Sequence, residues 1–356
     1  MRCKNSIGYA LGGTAVLALL AGCSGGGTSS APTSAGAVPQ QSASRSAGSA
    51  VRQGVEVASV LPPGIQIKRA PDHSRGFADP DAASTAAVVV SDSGTDDVYA
   101  YSLSGKLVAT ITGFSEPQGL GADLQGNIYV ANTGDSNILI YKDDYATLEK
   151  TLNDPGQYPV DAAYDPTSQV TAVTNIISTS DGPGSVSMYA RGSTSPCVTV
   201  SSSDFARVYF GAFDDKSQFF VDGENSSGAV VAGVVVGGCQ AKTITTLPYS
   251  NTIDFPGGVT VTKTHEIAID DQEGAAIYTY MPSMSSLGAP VATTPLTGAS
   301  DPVTFSPTRL TATVWTADAG LAASNAYPYP TGGSPKKTVT GFEEPIGVVV
   351  TPVERP

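Results

Sequence analysis

Acidic side chains recur in this sequence at the start of apolar runs, often beside a proline, as in Glu116-Pro117 and Asp301-Pro302. The candidate ligand-binding residues of this kind are Glu116, Asp161, Asp204, Asp254, Asp301 and Glu344. Carboxylates brought together by a fold supply the hard oxygen ligands that Ca²⁺ and other divalent cations take, and they attract cationic or hydroxyl-rich ligands. The alternative is that they cap turns in a chain of net charge −13, and both interpretations stay open.

Other chemistry finds less support in the composition. The chain has two histidines, His73 and His265, and neither lies in a motif for a Ser-His-Asp site or a two-histidine zinc site. With 19 basic against 32 acidic residues, no basic stripe is expected that could neutralise nucleic-acid phosphates. The sequence therefore predicts no nucleic-acid partner and no required cofactor, and it favours a protein that is not an enzyme.

The acidic residues belong to a repeat. Residues 112–117, 297–302 and 340–345 share a Thr-Gly start and an acidic residue followed by proline, and Pro159 and Pro256 enter apolar runs in a similar way. The proline positions imply a period of about 45 residues, which is typical of β-propeller blades. The longest interval, between Pro159 and Pro256, corresponds to two repeats with one proline missing.

A second marker, an Asx residue that ends an apolar run, has the same period. These residues are Asp92, Asn132, Asn175, Asp222, Asp270 and Asp318. Because short Asx side chains accept hydrogen bonds from backbone N–H groups in turns, we interpret them as structural hairpin residues. The two markers together predict an all-β fold of six four-stranded antiparallel units. The second repeat shows its four strands best, at 119–123, 128–132, 138–142 and 147–152.

The ends of the repeat region match each other. Residues 85–92 correspond to a second strand, and 346–351 to a first strand without successors. The last strand is therefore expected to complete the first blade, one strand against three, and to close a six-bladed β-propeller over residues 84–356. Two separate β-domains would need a linker-like break after residue 84, which the sequence lacks. In a propeller, the acidic loops before the first strands would share one rim of the central channel.

The second repeat resembles an NHL repeat in the runs PQGLGAD (117–123) and GNIYVAN (126–132). It departs from that family where an arginine commonly precedes the third-strand aromatic, since Leu139 or Ile140 lies there. Six-bladed channels also resemble those of the gluconolactonase and regucalcin group, in which Glu, Asn and Asp hold a divalent cation and a lactone is hydrolysed. The resemblance implies a divalent-metal-dependent lactone hydrolase as an alternative function, with Asn175 and Asp222 as candidate ligands by type.

The start of the chain indicates export. Arg2 and Lys4 precede an apolar stretch at 7–20 that ends in Leu20-Ala21-Gly22-Cys23, which resembles the lipobox of bacterial lipoproteins. That resemblance implies a signal peptide at 1–22 and acylation of Cys23, although a plain secretory signal is the alternative. Residues 23–54 have the Ser, Ala and Gly composition of a disordered tether, and 55–83 are transitional. We expect a protein anchored by lipid to a bacterial membrane, either at the outer membrane and periplasm or at the cell surface.

Cys197 and Cys239 are the cysteines outside this leader region. An exported protein permits a disulfide between them. Both precede the outermost strand of successive repeats, however, and such positions are expected to splay apart, which favours free thiols. Taken together, the sequence predicts a non-catalytic binding module that engages a protein, peptide or glycan through its propeller rim.

Overall fold

The computed structural model describes residues 76–78, 86–262, 264–283, 285–308 and 311–352. The predicted signal peptide, Cys23 and the predicted tether at 23–54 lie outside these ranges. Inside them, no helix combines the length and the apolar character needed to cross a membrane.

The described residues form six antiparallel sheets, each of which is one blade of a β-propeller. Blade one contains β1 (Phe77–Ala78), β2 (Ala87–Asp92), β3 (Asp97–Ser102), β4 (Leu107–Ile111) and the distant β25 (Pro345–Thr351). Blade two contains β5 (Pro117–Ala122), β6 (Ile128–Asn132), β7 (Asn137–Tyr141) and β8 (Leu148–Asn153). Blade three contains β9 (Gln157–Asp165), β10 (Val170–Ser178), β11 (Ser185–Tyr189) and β12 (Val198–Ser201).

The second half of the ring repeats the same order of strands. Blade four contains β13 (Arg207–Phe213), β14 (Phe219–Glu224), β15 (Val230–Val235) and β16 (Thr245–Thr246). Blade five contains β17 (Pro256–Val261), β18 (Ile267–Asp271), β19 (Ala276–Tyr280) and β20 (Pro290–Pro295). Blade six contains β21 (Pro302–Thr308), β22 (Thr313–Asp318), β23 (Ala323–Pro328) and β24 (Lys337–Thr340).

Closure of the ring confirms the one-plus-three arrangement. Strand β25 is the innermost strand of blade one and pairs antiparallel with β2, from Ala87 opposite Thr351 to Asp92 opposite Pro345. The sequence did not predict β1, a two-residue strand that pairs with the outer edge of β4. Its residues lie in the segment that was assigned as transitional, where a two-residue strand is too short to leave a periodic pattern.

The core is divided among the interfaces between neighbouring blades. Because successive side chains of a strand point to opposite faces, β18 sends Ile267 and Ile269 into a cluster with blade four and Ala268 into a cluster with blade six. Trp315 of blade six packs in the same way against Val88 of blade one. The ring is therefore held by a repeated pattern of interlocking apolar faces.

The hairpin Asx residues connect the second strand of a blade to the loop that leads into its first strand. Asp318 accepts hydrogen bonds from the backbone N–H groups of Ser300, Asp301 and Leu321 at 3.0–3.1 Å. Asp92 does the same for Gly94, Glu343 and Glu344. These bonds hold the entry loop against the hairpin.

In two of the six blades, the hairpin position lies one residue after the Asx residue that the sequence predicted for it. In blade five it is Asp271, and not Asp270, that lies opposite the proline and accepts from the entry-loop amides. In blade four Gly223 takes this place opposite Val208, and Asp222 again precedes it. A one-residue shift moves a side chain to the other face of a strand, so Asp222 and Asp270 face a neighbouring blade.

Candidate functional site

Apolar side chains cluster at one end of the blades, near the beginnings of the first strands and near the end of the second strand of blade three. An apolar plug joins five blades and consists of Val160, Ile176, Ile177, Tyr209, Phe210, Phe255, Val303 and Ile346. Each of these residues is at most 7% exposed. Because these side chains are buried and none of them lines the open cavity, we infer that they fill the channel on the entry face, the face of the loops that lead into the first strands.

The opposite end of the channel is open. A cavity of about 1260 Å³ extends from beneath the plug to the hairpin face, where the described turns between first and second strands include 123–127, 165–169, 214–218 and 264–266. Its walls carry small and apolar residues of the first strands, such as Ala162, Val259, Phe305 and Val348. A ligand can therefore enter this channel from the hairpin face.

The lining of the cavity is acidic. Its carboxylates are Asp123, Asp161, Asp165, Asp214, Asp215 and Glu266. Among the described residues, none of the lining side chains is a lysine or arginine. Lys263 and Arg309 adjoin lining residues in sequence but lie outside the described part of the chain. The described lining of the cavity thus presents negative charge, while the exposed Lys216 lies in the turn at 214–218 outside that lining.

Asx turns fix several of these carboxylates. Asp123 accepts from the backbone N–H groups of Gln125 and Asn127 at 2.9 and 3.0 Å. Asp214 accepts likewise from the amides two and four residues further on. Burial acts to raise the pKa of Asp165, but hydrogen bonds from Ser168, Ser217 and backbone amides outweigh it and lower that pKa. Asp165 therefore carries its charge at neutral pH.

A histidine lies at the same mouth. His265 Nδ1 is 3.2 Å from Asp215 Oδ1, and the two side chains are 51% and 43% exposed. The sequence shows no catalytic or zinc motif at His265, and the structure places this residue on the hairpin face. The other histidine, His73, lies outside the described residues.

Asp161 is the one predicted ligand residue that lines the cavity. Its Oδ2 accepts the backbone N–H of Gly211 at 3.1 Å, and burial, opposed by the amides of Gly211 and Ala162, raises its pKa to about 7. At the corresponding position of blade six, the hydroxyl of Thr304 donates to the Ile346 carbonyl at 2.7 Å and accepts from a backbone amide of β25. Asp161 therefore also joins neighbouring first strands, whether or not it contacts a ligand.

The other predicted ligand residues do not line the cavity. They are Glu116, Asp204, Asp254, Asp301 and Glu344, all in or near entry loops. Asp204 accepts from the Thr246 hydroxyl at 2.7 Å on the outermost strand of blade four. Glu116 and Glu344 are buried. These side chains therefore lie outside the cavity, and a role for them as ligands on the entry face stays a prediction.

The structure offers no match to the metal ligands that the gluconolactonase resemblance implied. Within the described ranges, no group of three or more His, Cys, Asp or Glu side chains is placed to hold a metal ion. Asn175 is fully buried and donates to Ser185 and Ser187. Asp222, also fully buried, accepts from the Phe210 amide. Neither side chain lines the channel.

A disulfide joins blades three and four. Cys197 and Cys239 have Cα atoms 5.5 Å apart and are covalently bonded. The expectation that these positions splay apart was wrong, because the two cysteines are not equivalent. Cys197 immediately precedes β12, whereas Cys239 lies in a 3-10 turn, Gly238–Gln240, well before β16. This turn contacts β10 and β11 of blade three.

Sequence reasoning missed the open mouth although a signal for it was present. Asp123, Asp165 and Asp214 each follow the apolar residues of a first strand, in phase with the repeat. The sequence also contains a signal for the plug: an apolar residue directly follows several of the repeat prolines, as Val160, Val303 and Ile346 do. Of the predicted ligand residues, Asp161 follows its proline, whereas the others lie in or near the entry loops.

The fold and the channel define a six-bladed β-propeller, and comparisons with solved structures agree. A protein of unknown function from Bacteroides caccae superposes with a TM-score of 0.57 at 10% identity, covering 75% of this chain and 98% of that one. A chain of a nidogen/laminin complex superposes with a TM-score of 0.56, also at 10% identity, covering 74% and 98%. No protein-family model and no curated protein matches the sequence.

Proposed function

We propose that this protein is an exported, lipid-anchored binding module that takes a basic segment of a protein or peptide into its channel from the hairpin face. The observation that carries the proposal is the asymmetry of the channel, which is plugged on the entry face and open and acidic on the hairpin face. Carboxylates that line a cleft focus its field and attract cationic groups, and those of this channel come from blades two to five.

The size of the cavity supports a segment of a macromolecule over a small metabolite. Pockets for small molecules usually measure about 300–1,000 Å³, and this channel measures about 1260 Å³. One of the similar folds comes from a complex of nidogen with laminin, which shows a propeller of this shape in a protein assembly. Its partner is not carried over to this chain.

Charge-reversal peptides would test the binding proposal. A fluorescently labelled Lys/Arg-rich peptide library should bind the purified full chain, and an acidic library of equal length should not. Changing Asp214 and Asp215 together to asparagine should weaken the best peptide about tenfold, because two partly exposed ion pairs contribute up to about 1 kcal/mol each. Asparagine keeps an oxygen acceptor for the turn at Asp214.

Asp204→Asn together with Asp254→Asn is the matched control, since it removes two charges outside the cavity. Equal weakening by both pairs, or equal binding of acidic and basic peptides, would contradict the proposed site. Metal-dependent hydrolysis of a lactone, abolished by EDTA, would replace the binding function by the hydrolase alternative.

The membrane anchor is proposed from Leu20-Ala21-Gly22-Cys23. Cells fed with a radiolabelled fatty acid should label the protein, and Cys23→Ser should abolish that label. Unchanged labelling of Cys23→Ser would refute lipidation at this residue, without affecting the peptide-binding result.

A further inference from the structure

Asp161 lies deeper in the channel than the other first-strand residues that line it. In five blades, the lining of the cavity begins at the third residue after the position of the repeat proline, and these residues are Leu120, Gly211, Val259, Phe305 and Val348. In blade three it begins one residue earlier, at Asp161. Because Val160, the residue before it, belongs to the plug, the Asp161 side chain lies at the blind end of the channel.

The Asp161 carboxylate is positioned by both neighbouring blades. Its Oδ2 accepts the backbone N–H of Gly211 in blade four at 3.1 Å. A Cβ on Gly119 of blade two would lie 2.6 Å from the Asp161 Oδ1, so a glycine is needed there to leave room for this oxygen. The side chain is only 8% exposed. The blind end of the channel therefore carries one carboxylate in a fixed position.

The wall between this carboxylate and the channel mouth is uncharged. On β9 it consists of Ala162, Ala163 and Tyr164, and Asp165 lies at the mouth. The other first strands contribute only small, apolar and hydroxyl side chains over the same stretch. Since a strand rises about 3.3 Å per residue, Asp161 and Asp165 are about 13 Å apart along β9.

This depth decides which cationic group can reach Asp161. The side chain of a lysine or arginine extends at most about 7 Å from its Cα, over five or six bonds of about 1.5 Å, so a basic residue held at the mouth ends short of Asp161. Four residues of extended chain span the distance. A chain that enters a blind channel end-first brings a terminus to the blind end, and of the two termini only the N-terminus is cationic.

Asp161 also lacks a basic partner in the channel. Burial raises its pKa to about 7, and none of the described residues that line the cavity is a lysine or arginine. A nearby positive charge favours the ionised form of a buried carboxyl group. An ammonium group at the blind end would supply that charge.

We propose that Asp161 binds the α-ammonium group of a free N-terminus, so that the channel takes its basic segment N-terminus first. The next residues of the segment lie along the uncharged wall, and the basic residues after them face the aspartates of the mouth. This inference rests on the proposed peptide-binding function and specifies which end of the peptide enters the channel.

Two peptides that differ in one group test the proposal. Each consists of four alanines followed by three lysines with a dye at the C-terminus, and the N-terminus is either free or acetylated. At pH 7, where an α-ammonium group with an ordinary pKa of about 8 is protonated, the full chain in mild detergent should bind the free peptide about tenfold more tightly by fluorescence anisotropy, because acetylation removes a charge-assisted hydrogen bond. Asp161→Asn should bind both peptides equally, and as weakly as wild type binds the acetylated one.

Asp222→Asn is the matched control. Asp222 is also buried and accepts the amide of Phe210 at 2.9 Å, but it does not line the cavity, so this variant should keep the preference for the free peptide. Equal loss of the preference in both variants would overturn the proposal.

Two other results would overturn it without touching the proposed function. One is equal binding of the free and acetylated peptides by wild type, and the other is a preference for the free peptide that Asp161→Asn retains. Failure of every basic peptide to bind would overturn the proposed function as well.

Discussion

Replacing both Cys197 and Cys239 by serine should lower the free energy of unfolding by about 4 kcal/mol. The disulfide joins residues separated by 42 positions. In the chain-entropy relation, a cross-link restricts the unfolded chain by an entropy that grows with the logarithm of the loop length, and a loop of this size corresponds to about 4 kcal/mol at 25 °C. The disulfide links two blades that also meet through apolar packing and through hydrogen bonds such as that from Gly211 N–H to Asp161.

The assay is urea unfolding followed by far-UV circular dichroism and by fluorescence of Trp315, the single tryptophan. Trp315 packs between blades six and one, away from the disulfide. Coincident loss of both signals would show that the ring unfolds as one unit. Wild type in reductant should match the double serine variant, and a double alanine variant separates the loss of the bond from burial of a serine hydroxyl.

Two results would refute this reasoning. The first is a loss below about 1 kcal/mol in both double variants, which lies under the usual range for a natural disulfide. The second is a non-reducing tryptic digest in which peptides 192–207 and 217–242, which carry the two cysteines, run as separate species.

Three further predictions concern stability. The free energy of unfolding of Asp161→Asn, measured in urea, should rise relative to that of wild type by up to about 4 kcal/mol as the pH increases from about 4 to about 8. The reason is that the Asp161 carboxyl has a pKa of about 7 in the folded protein and an ordinary pKa of 3.8, so between these values it ionises only in the unfolded state. A difference in unfolding free energy that does not change with pH would contradict this. In the same assay, Asp318→Ala should lower the free energy of unfolding by about 3 kcal/mol, because three backbone amides lose their hydrogen-bond acceptor. Asp318→Asn, which keeps one side-chain oxygen, should lower it by less. Removing residues from 345 onward should abolish the cooperative calorimetric transition, since β2 would lose its innermost partner; a retained transition would show that closure is dispensable.

The sequence predicted the six blades and their closure because both are encoded in local turn chemistry. The repeat proline and the Asx residue pair across the first and second strands in most blades, as Pro302 does with Asp318 and Pro345 with Asp92. Each marker reports a turn that its own side chain helps to form. The Asx marker was placed one residue early both in blade four, which has Val208 in place of the proline, and in blade five, which has Pro256.

Other features depend on register and on contacts between blades. Asp270 and Asp271 are both plausible turn residues by type, and only their pairing with β17 decides which one caps the hairpin. The reach between Cys197 and Cys239 depends on a 3-10 turn that leaves no periodic signal. Which face of the channel is open depends on the joint volume of side chains from five blades, and no single repeat contains that information.

Closure of the ring by β25 sets an order of events during synthesis. Strand β2 ends at residue 92, and its innermost partner begins at residue 345, so the edge of blade one stays uncovered until every other blade has been made. Exposed strand edges pair readily with other chains, and long-range pairing is slow to form. The nascent protein is therefore most vulnerable to aggregation just before its last contact forms, and a chaperone that covers the β2 edge would act at that moment.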